Sequence, residues 1–468
     1  MNWKSVFSYL GYILIFLAVA MLLPVIVSLV YDESVFIPFF LGAFVSFVCG
    51  VVLVKKFRRE NLTLGSAMIL AGLAFIAVSL IGSIAYLDHM QPLDAVFESV
   101  SGFTATGFTT AAPESLPHSI LFWRSLTQWL GGAGMLLAII LLLSSPGMSA
   151  YYMYKAEAKM HRIETNVLLG AKRILMIYGI YTCLGILLFI LVGMPIFDSI
   201  NHSMTAVSNG GFSVRNQSLG YYASPAIELV AVVLSILGAT SIFMHKKLFK
   251  KDFSSYIGSS ETHLFWLFAV VFASLVSFSL IAAVDEPLRS GVFHTLSALT
   301  TTSFTNGLTN LAGYTDIAKV LLVMAMVIGG FAGSLAGGLK LVRVGILGKA
   351  MTWISKKIFY PSSAVVPFKF NSRPIDDQEL TVISLFSFTY IFLLILSSLA
   401  LSFMGYATTD AFFVSASAEG TVGLSTVNIA AMNPVGKIIL MAGMLLGRLE
   451  ILPFFVLFFV VYSRIKYK

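Results

Sequence analysis

The chain has 468 residues, of which 58% are hydrophobic and 11% charged. A soluble domain carries roughly 25% charged residues, so the composition excludes an ordinary soluble protein and predicts an integral membrane protein. The net charge of +8 does not imply nucleic-acid binding, because Lys and Arg in a membrane protein report topology through their distribution. The two cysteines, Cys49 and Cys183, lie in apolar runs and support neither a disulfide framework nor a thiolate metal site.

Ten apolar runs are long enough to cross a bilayer as helices, which takes about 20 residues each. They lie at roughly 9–30, 36–54, 64–87, 120–143, 174–192, 226–244, 264–284, 318–347, 380–404 and 435–463. When these runs alternate in direction, most of the 30 Lys and Arg residues fall on one side, including Lys4, the 55–60 run and the connection with Lys155, Lys159 and Arg162. By the positive-inside rule both termini are cytoplasmic. The chain is therefore expected to be a multi-pass membrane protein.

Four related polar stretches separate pairs of these runs. DAVFESVSGFTATGFT at 94–109 returns, without gaps, at 198–213, 290–305 and 410–425. Each opens on an N-capping type (Asp94, Asp198, Ser290, Asp410), which predicts a helix of about ten residues after the cap and then an extended stretch. Hydroxyls recur in two columns (Ser99, Ser203, Thr295, Ser415; Ser101, Thr205, Ser297, Ser417), and the last glycine column reads Gly107, Gly211, Ser303 and Gly423.

The four stretches predict a binding site for a bare cation. Irregular backbone at membrane depth is tolerated only where it lines a cavity or is buried in protein, and the C-terminal end of a short helix carries partial negative charge. Glycine lets successive carbonyls turn to one side, so four such stretches around one axis form rings of carbonyl oxygens that replace a hydration shell. The predicted ion-binding residues are Thr104, Ala105, Thr106 and Gly107; Ser208, Asn209, Gly210 and Gly211; Thr300, Thr301, Thr302 and Ser303; and Gly420, Thr421, Val422 and Gly423.

Over nearly its whole length the chain resembles the Trk/Ktr/HKT superfamily of potassium transporters, most closely the bacterial TrkH type. The resemblance rests on the four stretches, on the runs at 329–343 and 362–375, and on MLLGRLEIL at 444–452. It implies an all-α membrane fold of ten transmembrane helices and four re-entrant pore loops, in which four pseudo-symmetric helix-pore-helix units surround one pore. It also implies potassium uptake with K⁺ as the transported ion and no cofactor, a homodimer in the lipid bilayer, and a cytosolic nucleotide-binding RCK (TrkA-like) subunit.

The resemblance divides the chain into five parts. A two-helix N-terminal extension (1–60) precedes four repeats at 61–145, 146–250, 251–360 and 361–468. The third repeat contains the glycine-rich run 329–338, where each glycine costs about 1 kcal/mol relative to alanine in a helix. The residues alone allow either close packing against a neighbouring helix or a break in the helix.

A gate beneath the carbonyl rings is a second implication of the resemblance. In the family this position holds an intramembrane loop that obstructs the pore, and the matching residues are Gly333, Ser334, Ala336, Gly337 and Gly338. Leu335 stands where relatives commonly have Thr. Arg448 and Glu450 lie inside the last apolar run, where a charge is a functional candidate, and the family pattern places the Arg near the loop as an electrostatic barrier. Lys340 either shares this role or extends its charge towards the cytoplasmic surface.

Ser303 breaks the glycine column, and this puts the preference for K⁺ over Na⁺ in question. One alternative is therefore a less selective K⁺/Na⁺ pathway of the same fold. A second is a proton-coupled secondary transporter of another solute, which predicts carboxylates at the centres of spans, where only Glu450 and Glu228 come close. An enzyme is not expected, because no HExxH, nucleophile elbow or phosphate-binding GxxxxGK[ST] motif is present.

Overall fold

The computed structural model describes residues 3–60, 62–144, 167–241, 244–245, 247, 251–308, 310–361, 366–371 and 373–466. Lys155, Lys159 and Arg162, and part of the 362–375 motif, lie outside the described residues. Almost every element is a helix. The first half contains α1 (Trp3–Ala20), α2 (Leu23–Val30), α3 (Ile37–Lys56), α4 (Leu64–Gly82), α5 (Pro92–Phe103), α6 (His118–Ser144), α7 (Val167–Leu191), α8 (Ile196–Val207) and α9 (Pro225–Ala239).

The second half contains α10 (Phe253–Ile257), α11 (Ser260–Ser279), α12 (Pro287–Leu299), α13 (Asp316–Ile328), α14 (Leu341–Lys357), α15 (Asp377–Phe403), α16 (Thr408–Glu419), α17 (Pro434–Arg448) and α18 (Leu452–Lys466). Short 3₁₀ turns lie at Ser83–Tyr86, Pro113–Ser115, Ser218–Tyr222 and Leu311–Gly313. A two-residue hairpin pairs β1 (Lys369–Phe370) with β2 (Arg373–Pro374) in antiparallel register.

Helix starts follow local chemistry. Thr63, Ser259, Thr315 and Asp376 accept a hydrogen bond from the backbone N–H three residues on, at the starts of α4, α11, α13 and α15. Such side chains satisfy N–H groups that have no partner within the helix. Proline occupies the first turn of α5, α12 and α17, where its missing N–H costs nothing.

The four short helices do not begin at the predicted caps. Asp94, Asp198, Ser290 and Asp410 lie within the first turn of α5, α8, α12 and α16, whose N-caps are Gln91, Pro195, Glu286 and Ala407. The capping prediction was therefore wrong. The three aspartates instead make ion pairs, with Lys437 at 2.6 Å, Arg215 at 2.8 Å and Lys319 at 2.8 Å respectively.

Four helix triplets form a closed ring. In each triplet a short helix packs between a preceding and a following helix: α4-α5-α6, α7-α8-α9, α11-α12-α13 and α15-α16-α17. The last helix of each triplet also packs on the next short helix, as α6 on α8, α9 on α12, α13 on α16 and α17 on α5. The fourth contact returns to the first triplet, so the repeat pattern in the sequence becomes a four-part ring around one axis.

Buried or half-buried ion pairs fix three of the four contacts between triplets. Lys319 of α13 binds Asp410 of α16, and Lys437 of α17 binds Asp94 of α5. At the contact between α9 and α12 the polarity is reversed, because Glu228 of α9 binds Arg289 at 2.7 Å. Removing one member of a buried pair is strongly destabilising, since the other charge is left without compensation. These pairs therefore set the register between neighbouring repeats.

Two long apolar runs are broken rather than continuous helices. In the eighth run the chain leaves helical geometry between Ile328 and Leu341, which agrees with the break and not with close packing of an intact helix. In the tenth run α17 and α18 meet at a bend of 106°, where Glu450 and Ile451 adopt left-handed backbone conformations.

Six helices within the described part of the chain are long and apolar enough to cross a membrane, and the bent α17-α18 pair raises this number to seven. The shorter apolar helix Pro225–Ala239 lies outside this set. The full count of ten spans remains a prediction. Helices α1 and α3 pack closely, since a Cβ placed on Gly11 or Gly50 would lie 2.7 Å from the other residue's carbonyl oxygen, as is typical of small residues at membrane helix contacts.

Candidate functional site

The four stretches that follow the short helices meet at the centre of the ring, and we name them central segments 1 (104–107), 2 (208–211), 3 (300–303) and 4 (420–423). They share an unusual backbone. The second residue of every segment is left-handed (Ala105, Asn209, Thr301 and Thr421, φ 50°, 55°, 55° and 48°), and so is the fourth (Gly107, Gly211, Ser303 and Gly423, φ 101°, 68°, 67° and 84°). Non-glycine residues rarely hold this conformation, so its recurrence in four copies is a built feature.

Hydrogen bonding turns the amide groups of each segment towards its own short helix. The third residue donates its N–H to the carbonyl of a hydroxyl-bearing residue five positions earlier. The pairs are Thr106 with Ser101, Gly210 with Thr205, Thr302 with Ser297 and Val422 with Ser417, at 2.8–2.9 Å. These bonds direct the N–H groups of the third residues into their own repeats.

At the glycine column, carbonyl oxygens of one segment pack against the glycine of a neighbouring segment. A Cβ placed on Gly107 would lie 2.2 Å from the Gly210 carbonyl oxygen, and one on Gly211 would lie 1.6 Å from that of Thr302. A Cβ on Gly423 would lie 2.1 Å from the Thr106 carbonyl oxygen. Real Cβ atoms do not approach so closely, so glycine at these three positions is required by the neighbouring segment and not only by its own backbone.

Ser303 is the one side chain in this column, and it keeps the conformation of the glycines it replaces. Its Cβ lies 2.6 Å and 2.7 Å from where Cβ atoms on Gly107 and Gly211 would be, and its Oγ lies 2.6 Å from that position on Gly423. The Ser303 side chain therefore faces all three other segments. The Cβ of Ser303 therefore leaves the backbone conformation of this position unchanged, and it occupies space between the segments.

On one side of the ring the segments open into a vestibule of about 610 Å³, lined by residues that include Gly107, Gly211, Ser303, Arg124 and Arg215. Both arginines are neutralised, because Arg124 binds Glu98 at 2.7 Å and Arg215 binds Asp198 at 2.8 Å. A vestibule with paired arginines carries little net positive charge, so it does not repel a cation.

On the other side the 329–340 loop contacts the segments directly. The Gly337 N–H donates to Thr301 Oγ1 at 2.9 Å, and a Cβ on Gly337 would lie 2.0 Å from the Gly420 carbonyl oxygen. The predicted gate residues Gly333, Ser334, Ala336, Gly337 and Gly338 are all buried in this loop. Leu335 packs in an apolar cluster with Tyr178 and Val207. The loop thus packs directly against central segments 3 and 4.

Two basic side chains hold this loop. Arg448, 4% exposed, donates from Nη1 to the Leu335 carbonyl at 2.8 Å and from Nη2 to the Gly131 carbonyl at 3.3 Å. Lys340 is buried, with its Nζ bonded to the Ala336 carbonyl, which favours a role in the loop over extension to the surface. Glu450 pairs with Arg343 at the start of α14, so the bend of the last run is tied to the helix that follows the loop.

The two histidines of the short helices, His202 and His294, serve as hydrogen-bonding residues. His202 binds the Asp198 carbonyl and Ser213 Oγ, and His294 binds the Ser290 carbonyl and Tyr314. Three polar residues behind the segments were not predicted as part of the site. Glu98, Arg124 and Gln128 are buried on α5 and α6, and the signal that marks the last two is their position inside an apolar run, where polar groups are expensive.

The sequence matches a protein-family model described as TrkH, cation transport protein, over residues 37–466. An uncharacterized cation transporter of Methanocaldococcus jannaschii is 34% identical, with 98% of this chain and 96% of that protein covered. The Trk system potassium uptake protein TrkH of Salmonella typhimurium is 32% identical, with 98% and 99% covered. The crystal structure of the potassium transporter TrkH from Vibrio parahaemolyticus superposes with a TM-score of 0.88 at 28% identity, covering 98% of each chain. These matches extend over almost the whole chain, and it belongs to the TrkH family of cation transport proteins.

Proposed function

We propose that this protein takes up K⁺ through the centre of its four-part ring, with the central segments as the selectivity filter. The observation that carries the proposal is the recurrence of one backbone conformation in four segments, three of which place the carbonyl of their third residue against the glycine of a neighbouring segment. Rings of backbone carbonyls replace the hydration shell of K⁺. Relatives named Trk system potassium uptake proteins and a solved potassium transporter of the same fold support the choice of ion.

The topology that accompanies this proposal has ten spans and four re-entrant loops, in the bacterial cytoplasmic membrane with both termini in the cytoplasm. The positive-inside distribution supports it. The N-terminal extension and four repeats then form five units along the chain, and the 329–340 loop faces the cytoplasmic side of the filter.

The loop acts as the gate of the pathway. Arg448 and Lys340 hold it by bonds to its carbonyls, and their positive charges lie where a cation would have to pass. A cation in this position faces electrostatic repulsion in a region of low dielectric constant. Opening requires the loop to leave the Thr301 hydroxyl and the Arg448 guanidinium.

A cytosolic nucleotide-binding RCK subunit is the proposed source of the force that moves the gate, and the protein itself forms a homodimer. The name "Trk system" in its relatives describes a component of a larger assembly, which supports a partner. The described basic residues near the cytoplasmic ends, such as Lys349, Lys356 and Lys357, offer a surface of suitable charge for its docking.

Ser303 favours a second version of this function, a pathway of the same fold that discriminates less between K⁺ and Na⁺. Its hydroxyl adds a side-chain oxygen beside Gly107 and Gly423, whereas the other repeats have no side chain in this column. The proton-coupled alternative gains no comparable support, because Glu450 and Glu228 are both occupied in ion pairs with arginines.

Flux of Rb⁺, K⁺ and Na⁺ into liposomes that contain the purified chain, with and without its RCK subunit and an imposed proton gradient, tests the proposal. Gly107→Ala is the informative variant, since its Cβ would meet the Gly210 carbonyl, and we expect it to abolish Rb⁺ influx. Gly179→Ala is the matched control, because a Cβ there meets no atom within 4 Å. No Rb⁺ influx even with the partner, or full influx in Gly107→Ala, would refute the function.

A further inference from the structure

Central segment 2 differs from the other three in lacking a side chain at its third position. Thr106, Thr302 and Val422 stand there in the other segments, and Gly210 stands in segment 2. The two threonines brace their own segments, since each Oγ1 lies 2.8 Å from the Oγ1 of the threonine two residues earlier. Gly210 is followed by Gly211, so segment 2 has two successive residues without side chains. A glycine pair has the least intrinsic resistance to rotation of its peptide planes.

Gln128, from a different repeat, fills the vacant position. It lies on α6, is fully buried, and a Cβ placed on Gly210 would lie 2.3 Å from its Cδ and Oε1 and 2.8 Å from its Nε2. Its carboxamide therefore occupies the volume that a β-branched side chain of the segment occupies in the other three repeats.

The carboxamide also makes two hydrogen bonds to the backbone of this segment. Its Nε2 donates to the Gly210 carbonyl at 2.8 Å, and its Oε1 accepts from the Phe212 N–H at 3.0 Å. Only one orientation of the amide satisfies both groups, because the carbonyl requires a donor and the N–H an acceptor. The contact therefore fixes the direction of both peptide groups that flank Gly211.

The Gly210 carbonyl lies against central segment 1, since it is the atom that excludes a Cβ from Gly107. Arg124, one helical turn before Gln128 on the same face of α6, donates to the Ser213 carbonyl at 2.8 Å. Helix α6 of the first repeat thus holds the filter segment of the second repeat at successive points.

We infer that Gln128 is a positioning residue for ion selectivity, which holds the Gly210 carbonyl at the distance that suits K⁺. It acts through the backbone and touches no ion. The inference rests on the proposed function of the central segments. Without this brace the Gly210 carbonyl moves inward to meet a smaller ion, and discrimination against Na⁺ falls while the pathway stays open.

The test measures Rb⁺ and Na⁺ influx into liposomes that contain the purified full-length chain with its RCK subunit. Gln128→Leu removes both hydrogen bonds at similar volume, and we expect the Rb⁺:Na⁺ influx ratio to fall at least 5-fold. Gln128→Glu keeps the acceptor for Phe212 and loses the donor to Gly210, and we expect the same loss. Ser125→Ala is the control on the same helix, because the Ser125 hydroxyl bonds only within α6, to the Leu121 carbonyl at 3.3 Å, and its ratio should not change.

A compensating pair separates positioning from general stability. Gln128→Ala alone should lower the ratio, and Gln128→Ala with Gly210→Thr should restore it to within 2-fold of the unmodified chain, because the pair rebuilds the column found in segments 1 and 3. An unchanged ratio in Gln128→Leu and Gln128→Glu overturns the inference, and if Gln128→Leu does not fold, Gln128→Glu and the pair decide. Gly107→Ala distinguishes the two proposals. Loss of Rb⁺ influx in Gly107→Ala, with an unchanged Rb⁺:Na⁺ ratio in the Gln128 variants, refutes only the inference about Gln128. Normal Rb⁺ influx in Gly107→Ala refutes the assignment of the central segments as the selectivity filter.

Discussion

Replacing Ser303 by glycine restores the column that the other three segments share, and we expect it to raise the preference for K⁺ over Na⁺. The Ser303 backbone already has φ 67°, beside 68° for Gly211. The substitution therefore changes no backbone conformation. It removes one methylene and one hydroxyl from a position that faces Gly107, Gly211 and Gly423 at the axis.

The size of the effect follows from what the hydroxyl supplies. An extra hydroxyl ligand for a smaller ion is comparable to one hydrogen bond, with a net value of about 0.5–1.5 kcal/mol. Since about 1.4 kcal/mol corresponds to a factor of ten, the Na⁺:K⁺ influx ratio should fall by roughly 2- to 12-fold. Stability should change little, because relief of left-handed strain of about 1–2 kcal/mol is offset by the backbone entropy of glycine, about 0.5–1 kcal/mol.

The assay is competitive uptake of K⁺ and Na⁺ by liposomes that contain Ser303→Gly or the unmodified chain. Ser425→Gly is the matched control, since Ser425 lies two residues beyond Gly423 and its hydroxyl donates to the Val427 carbonyl at 2.7 Å away from the ring. A Na⁺:K⁺ ratio that stays the same or rises in Ser303→Gly would refute the assignment of weaker selectivity to this serine. An equal fall in Ser425→Gly would attribute the change to the loop and not to the axis.

Three further predictions concern the gate, the support of the filter and the outer surface. Arg448→Met should raise Rb⁺ influx in the absence of the partner by about tenfold or more, because it removes charged hydrogen bonds to the Leu335 and Gly131 carbonyls worth about 1.5–3 kcal/mol each; unchanged basal influx would contradict the gate. Glu98→Gln should lower unfolding stability by about 3–5 kcal/mol, since the buried Arg124 loses its carboxylate, and a thermal melt in detergent that does not shift would exclude this. Burial acts to raise the pKa of Glu33, but hydrogen bonds from Ser119 and His118 outweigh it and lower that pKa. Glu33 therefore stabilises the fold above its unfolded pKa of about 4.3 and loses this contribution as pH falls through its lower folded pKa. Glu33→Gln should flatten the acid side of the plot of melting temperature against pH.

Comparison of the four copies with each other was enough to predict the ring. The columns placed Gly107, Gly211 and Gly423 together, and each is where a neighbouring carbonyl leaves no room for a Cβ. Internal repetition works here because all four positions meet the same physical constraint. The same comparison identified Ser303 as different, and the structure places it at the axis.

Comparison of the four copies could not predict where the short helices begin or which residues of different repeats contact each other. Asp94 and Asp410 have the side chains of N-caps, yet their carboxylates bind Lys437 and Lys319 of neighbouring repeats. A capping preference is worth about 1 kcal/mol, and a partner brought close by the tertiary fold outweighs it. Those partners are 343 and 91 residues distant in sequence, and no local pattern links them.

The four central segments share one backbone conformation, but the side chains that hydrogen-bond to them differ from repeat to repeat. This difference decides how substitutions must be interpreted. Segment 2 is braced by Gln128 of the first repeat, whereas Asn209 of segment 2 itself reaches segment 3, donating to the Thr300 carbonyl and to Thr302 Oγ1 at 3.0 Å each. Segment 3, which carries Ser303, is therefore held by segment 2. A substitution in one segment can therefore change the position of the next segment around the ring. Loss of the Gln128 hydrogen bonds should shift segment 2 and, through Asn209, the position of Ser303 in segment 3. We expect Ser303→Gly and Gln128→Leu to be non-additive in the Na⁺:K⁺ ratio, and strict additivity in the double variant would show that the four quarters respond independently.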